Sequence, residues 1–397
     1  MSPRRLYLDN SATSFPKPRA VIDAMTRYAS ELGASAGRGA YREAVETGDL
    51  IAQCRRRLNT LFNGERPEHF IFTLNCTEAL NLAIKGLIDP RASETPHAIC
   101  TAIDHNSILR PLSAMAEAGW IEQTRVAVDG KTGLVDPQEI QRAINRNTKL
   151  IAITHVNNAT GTVQPIREIA AIAREHAVPL VVDAAQSAGH LPIDVQRDEI
   201  DLLAAPGHKG LLGPLGTGFL YIRPGLEHAL RPLLEGGTGS ISEEPSQPDF
   251  MPDRFESGSH NAIGIIGLSE GVKWILDEGI EKLAACEMDL VRTFIDGISN
   301  VEGITYYGPQ GVKHRTGVFS VRVEGFDPHE LSAVLETHYG ILTRSGIHCA
   351  PLAHEAIGTL AAGGTTRFSF GPFLTKQDIK FATDALAEVA VNQATAR

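Results

Sequence analysis

The sequence predicts an α/β fold, with a large domain on a mostly parallel sheet and a smaller α+β domain after it. Three observations lead there. Short β-rich runs alternate with helical stretches as far as residue 222, which is the pattern of βα units. Several of those runs are apolar at consecutive positions, as strands covered on both faces must be. A Gly-, Ser- and Pro-rich stretch at 234–253 then ends the pattern, and a different order of helices and strands follows. A chain of 397 residues is long enough for two lobes. The division drawn is a large domain at 15–253 and a small one made of 1–14 with 254–397.

The elements follow in order. Residues 69–73 form the first predicted strand, and a helix at 76–87 begins just past it, with Asn75 or Thr77 as its cap. Strands are predicted at 98–103, 150–156, 180–183, 202–205 and 218–222. A helix at 166–176 starts after Pro165, where proline suits a first turn. Ligands of such sheets bind beyond the carboxyl ends of the strands. The stretch 234–253 reads as a long loop, of the kind that carries function or stays disordered. A helical region at 263–297 then precedes strands at 317–324, 341–344 and 366–370, and a last helix starts near Lys376. The N-terminal arm is expected to pack near this second domain.

Composition narrows the function classes. A net charge of −10 disfavours binding to a nucleic-acid backbone. The run Arg55, Arg56, Arg57 reads as a solvated helix face. No apolar run approaches the roughly 20 residues of a membrane helix. The first residues lack the apolar core of a signal peptide, so the cytoplasm is the expected location. Five cysteines occur at long spacings with no CxxC pair, which supports neither a zinc ribbon nor a disulfide framework. Cys100 reads as a buried filler, and Cys54 and Cys286 carry no signal.

Five segments could carry chemistry. In AAPGHKGLLGPLGTGFLYI, Lys209 follows a strand among small residues that let a bulky group near the backbone. A lysine becomes nucleophilic when burial or a nearby cation lowers its pKa, and the alternative is a surface lysine in a glycine-rich loop. In PLVVDAAQSAGH, Asp183 ends a buried strand and needs a partner. The pyridine nitrogen of pyridoxal phosphate is one, and the amides of a following helix are another. Gln186 lies just beyond it. In FTLNCTEALNLAIKG a strand gives way to a helix whose free amides, with the Thr77 hydroxyl, suit a phosphate or simply a cap. In TAIDHNSILRP, His105 could stack on a ring, cap a helix or fill a core. In RSGIHCAPLAH, Cys349 sits in a loop beside His348, where an accessible thiolate could act as a nucleophile. Arg367, in TTRFSFG, has a buried context and should grip a carboxylate, either a protein side chain or a substrate.

These segments together resemble the class V aminotransferase family of fold-type I pyridoxal-phosphate enzymes, in its cysteine desulfurase and selenocysteine lyase-like branch. The resemblance runs from YLDNSATSFPKP through TEALNLAIKG, HVNNATGTVQPI, VVDAAQSAGH and GHKGLLGPLGTG to RFESGSHN, HCAPLAH and RFSFGPF. It implies the fold-type I transferase fold and pyridoxal 5'-phosphate as cofactor. It also implies roles. Lys209 holds the cofactor and moves protons, Asp183 pairs with the ring nitrogen, Gln186 binds the phenolic oxygen and His105 stacks on the ring. Cys76 and Thr77 meet the phosphate, with His208 near it. Asn158 and Arg367 hold the substrate carboxylate. Ser259 matches a position that reaches the phosphate of a neighbouring subunit, which implies a homodimer. Cys349 matches the sulfur-accepting cysteine.

The implied activity is a cysteine desulfurase, turning L-cysteine into L-alanine with the sulfur left on Cys349 as a persulfide and passed to an acceptor protein. The alternatives are a C–S or selenocysteine lyase acting by elimination, an aminotransferase, or a non-enzymatic partner built on the same fold. Three departures bear on the choice of substrate. Pro206 stands where a phosphate-binding hydroxyl is common, Tyr41 where a histidine is common, and Ile347 replaces the first histidine of an HHC pattern.

Overall fold

The computed structural model describes residues 5–395, apart from Arg38 and Ser242. An N-terminal arm carries the short strand β1 (Leu6–Tyr7) and leads to helices α1 (Arg19–Arg27) and α2 (Arg42–Phe62). The large sheet then forms from β2 (Phe70–Thr73), β3 (His97–Thr101), β4 (Glu122–Val126), β5 (Thr148–Thr154), β6 (Leu180–Asp183), β7 (Leu202–Pro206) and β8 (Gly218–Ile222). Their spatial order is β2-β8-β7-β6-β5-β3-β4. Neighbours are parallel except at β8, which runs antiparallel to both β2 and β7. Helices α3 (Cys76–Leu87), α4 (Asn106–Glu117), α5 (Pro137–Ala143) and α6 (Ile166–Glu175) connect the strands.

The period-two geometry of a strand explains the continuous apolar runs. In β5, Leu150 and Ala152 face a core shared with α3 and α4, while Ile151 and Ile153 face the core shared with α2 and α6. Both faces are covered there, so the run 150–153 is apolar at every position. In the two larger sheets, the two strands outside the predicted set are edges. β4 closes one end of the large sheet and is largely exposed.

The C-terminal part contains α7 (Ala262–Glu278) and α8 (Ile280–Ile298). They replace the single helical region expected at 263–297, because Gly279 adopts φ 85° between them. Next come β9 (Ile304–Tyr307), β10 (Val318–Val323), α9 (Pro328–Tyr339), β11 (Ile341–Leu342), β12 (Arg344–Gly346), α10 (Pro351–Ala356), β13 (Thr365–Ser369) and α11 (Lys376–Thr395). A four-stranded antiparallel sheet has the order β12-β13-β10-β9, and β9 is the second unannounced edge. The expected strand at 341–344 is two strands in two sheets, since β11 pairs with β1 of the arm while β12 pairs with β13. Leu6 and Leu8 of the arm enter the core beneath this sheet, with Phe294, Phe319 and Phe368. The side chains of α7, in contrast, join a core of the large sheet. Among the described residues no helix is long and apolar enough to cross a membrane.

One expectation from composition is overturned. The run Arg55, Arg56, Arg57 is not a solvated face. Only Arg56 is exposed. Arg55 lies buried in α2 and grips Glu256, with Nη1 donating to Oε1 at 2.7 Å and Nη2 to Oε2. Arg57 donates to Glu270 and to Ser269 of α7. The run is basic because two of its members tie α2 to segments far along the chain.

Candidate active site

The carboxyl ends of β5, β6 and β7 and the start of α3 surround a cavity with about 520 Å³ of space, part of it open to solvent. Its walls bring together Cys76, Thr77, His105, Asn158, Asp183, Gln186, His208 and Lys209, all expected from the sequence. Pro206 lines it too. Arg367 and Cys349 are not in that wall, but both are near enough to Lys209 to act on it electrostatically. Ser259 lies apart within this chain, in a hollow beside Glu256 and Phe72. A larger hollow, with about 1170 Å³ of space, part of it open to solvent, opens at the other end of the strands, and two ion pairs line it, Arg223 with Asp201 and Arg174 with Glu199.

Lys209 follows the end of β7. Protein surrounds its side chain, and that desolvation draws its pKa below the usual lysine value, with Asp183 and Cys76 pulling the other way. Its backbone is pinned by the N-terminal arm. Ser14 Oγ donates to the Lys209 carbonyl at 2.8 Å, and Ser14 N, Thr13 Oγ1 and Lys17 Nζ donate to the His208 carbonyl at 3.0, 3.1 and 2.8 Å. The nearby glycines serve the backbone more than a bound group. A β-carbon on Gly210 would stand 2.3 Å from the Ala188 carbonyl oxygen, and one on Gly207 would stand 2.1 Å from Thr217 Oγ1. The glycines let three segments close on one another.

Asp183 is 2% exposed. Its Oδ1 accepts from Ala185 N at 2.8 Å and faces the Cys76 thiol at 3.5 Å. Turns rather than a helix follow it, so it caps no helix. Burial, then the Asp183 carboxylate, hold the Cys76 thiol well above its usual pKa. Asn75 is the cap of α3, its side chain accepting from Glu78 N at 2.9 Å. The amides of Cys76 and Thr77 have no acceptor within the helix. His105 combines two of its expected roles. It caps α4, with Nδ1 accepting from Ser107 N at 3.1 Å, and its ring lines the cavity. Nδ1 is therefore the acceptor nitrogen, Nε2 carries the proton, and burial favours this neutral form. Gln186 donates from Nε2 to the Ser11 carbonyl at 3.0 Å.

Cys349 sits on the loop between β12 and α10, exposed. His348 and Cys349 take φ of 54° and 57°, a left-handed pair that non-glycine residues rarely adopt. Two residues tether the loop, Asn158 of the cavity wall and Asn106, which stands between the wall residues His105 and Ser107. Asn158 Nδ2 donates to the His348 carbonyl at 2.6 Å, and Asn106 N donates to the Cys349 carbonyl at 3.2 Å. Arg367 is 3% exposed, and its carboxylate partner is a protein side chain, Asp9, reached from Nη2 at 2.8 Å.

Among the described residues, the buried polar atoms with no hydrogen-bond partner include Thr154 Oγ1, Asn158 Oδ1 and His208 Nδ1, on residues of the cavity wall, and Arg367 Nε beyond it. Such atoms cost about 1–3 kcal/mol each when left unpaired, so they point to a polar guest.

A sequence profile of the aminotransferase class-V family matches residues 6–381. The chain belongs to this family. A probable cysteine desulfurase of Methanothermobacter thermautotrophicus is 35% identical over 388 residues, covering 97% of this chain and 94% of that one. The apo structure of a cysteine desulfurase from Thermococcus onnurineus superposes with a TM-score of 0.91 at 31% identity, covering 98% and 95% of the two chains. A cysteine desulfurase from Escherichia coli gives 0.86 at 26% identity, covering 98% and 94%. The class-V family implies pyridoxal phosphate, and the donor set fits that cofactor: a buried carboxylate, a neutral flat imidazole, a desolvated amine, free helix amides and the unpaired His208 nitrogen.

The sequence did not disclose the roles of Asp9, Ser14, Lys17 and Asp104. Asp104 is fully buried, accepts from Thr101 N and Thr154 N at 2.6 Å each, and is pushed up to about 7 by that burial. Its position directly before His105 was the one available signal. Asp9 and Lys17 lie in a motif that pointed to the family but to no partner, because their partners are distant in sequence.

Proposed function

We propose that this chain is a cysteine desulfurase that converts L-cysteine to L-alanine and takes the sulfur onto Cys349 as a persulfide. The observation that carries the reading is an exposed cysteine on a loop tethered to Asn158 of the cavity wall and to Asn106, between the wall residues His105 and Ser107. Relatives described as cysteine desulfurases, 35% and 31% identical, support the same activity. Bound in the cavity, pyridoxal phosphate supplies the electron sink that lets bonds at the α- and β-carbons of an amino acid break.

The residues divide the work. Asp183 holds the ring nitrogen in its protonated form, His105 lies against the ring, and Gln186 reaches the phenolic oxygen. The amides at Cys76 and Thr77, the Thr77 hydroxyl and His208 take the phosphate, while Pro206 brings no hydroxyl to it. Arg367 and Asn158 hold the substrate carboxylate and so decide which bond is aligned for cleavage. Lys209 holds the cofactor, and its amine, inclined to neutrality by burial, takes the α-proton and delivers it again. The Cys349 thiolate attacks the substrate sulfur. A sulfur–sulfur bond forms, the carbon–sulfur bond breaks, and its electron pair stays with carbon to be protonated. L-cysteine and one protein thiol become L-alanine and one persulfide. Ser259 reaches the phosphate of a second copy, so the working unit is a homodimer, placed in the cytoplasm, that hands its sulfur to an acceptor protein.

Product analysis on L-cysteine tests this reading. The wild type should yield alanine, and Cys349→Ala should lose most of that turnover. Pyruvate from both proteins would show an elimination lyase instead.

A further inference from the structure

Arg367 is already held by a carboxylate. Asp9 Oδ1 accepts from its Nη2 at 2.8 Å, and the Asn158 carbonyl accepts from Nη1 at 3.1 Å. Nε, which with Nη2 forms the edge that forks onto a carboxylate, is buried and unpartnered. A substrate carboxylate gripping that edge must share Nη2 with Asp9. The other oxygen of Asp9 has a second cation, since Arg344 Nε donates to Oδ2 at 3.0 Å. The Arg344 side chain is 52% exposed and free to adjust, whereas Arg367 is enclosed at 3%. The three side chains carry two positive charges and one negative, so the cluster has room for one more anion. Without a bound substrate, a lone buried guanidinium would be costly, and Asp9 removes that cost. With substrate bound, two carboxylates on one guanidinium repel, and Arg344 can take Asp9.

We propose that Asp9 is a placeholder for the substrate carboxylate: it neutralises Arg367 when the site is empty and turns onto Arg344 when an amino acid binds. Asp9 is thus a positioning residue that sets affinity for the α-carboxylate. The inference rests on Arg367 being the carboxylate-binding residue of the proposed function, but not on the fate of sulfur.

The probe is L-alanine, which has the carboxylate and amine but no sulfur. Its binding to the cofactor-loaded protein is measured by calorimetry, beside the melting temperature of each variant. Asp9→Asn should bind L-alanine about threefold to tenfold more tightly than wild type, the range commanded by one partly buried ion pair. Arg344→Gln should bind it more weakly by a similar factor, because Asp9 then has only Arg367. A fixed scaffold role predicts the reverse for Asp9→Asn and nothing for Arg344→Gln, and that result would overturn the proposal. If Asp9→Asn fails to fold, the weakening in Arg344→Gln decides alone, and its absence overturns the proposal. Arg367→Ala separates the two readings. Lost binding there with no response to the other variants sinks only the placeholder role, while unchanged binding sinks the carboxylate role and the placeholder with it.

Discussion

At the scale of single residues, burial and one carboxylate compete over Lys209. Burial lowers its pKa, and Asp183 resists. Lys209→Ala should abolish the cofactor link that borohydride makes permanent, with the loss read by absorbance after dialysis; a link that persists would point to another lysine. Lys209 and Asp183 were legible because each stands at a strand end in a local pattern, a lysine among glycines and an acid closing an apolar run. Asp9 was not legible, because its partner Arg367 lies 358 residues away and only the fold joins them. The glycines around Lys209 were legible as special but for another reason, since they relieve backbone contacts. Gly210→Ala should therefore lower stability by about 1–3 kcal/mol through the clash with Ala188, measured by denaturant unfolding.

Among the elements, α2 shows how a surface-like pattern can be a core feature. Glu256 accepts from both Arg55 terminal nitrogens and from Phe72 N at 2.6 Å, and it contacts His260. Removing Arg55 would leave a buried charge without its main partner. Arg55→Ala should cost about 3–5 kcal/mol in a urea titration. A cost below 1 kcal/mol, the ordinary surface value, would restore the solvated reading. Strands buried on both faces were readable from composition, and the edges β4 and β9 were not, because an edge needs no apolar run. The sequence division after residue 253 puts α7 with the second domain, whereas its side chains join the large-sheet core, a packing choice that periodicity does not record.

Across the whole molecule, the N-terminal arm links the parts that must cooperate. It pairs with β11, meets Arg367 and Arg344 through Asp9, and pins the His208 and Lys209 carbonyls. Buried histidines also give the fold a pH signature. Burial holds His155, His208 and His354 at about 4, and His348 is lowered as well. These groups are neutral when folded and take up protons on unfolding near their usual 6.5. Their contribution is present above pH 6.5 and is lost as pH falls from there toward 4. His190, raised by Glu287 against its own burial, works in the opposite sense. The melting temperature should fall steadily between pH 6.5 and 4, and a flat profile would contradict the burial of these rings. The central claim, that the cavity hands sulfur to the protein at Cys349, has a direct test. The protein is incubated with L-cysteine, its thiols are alkylated, and the peptides are mapped by mass. The expected result is one added sulfur on the Cys349 peptide with alanine released alongside. An unmodified Cys349 peptide with pyruvate as the product would contradict it.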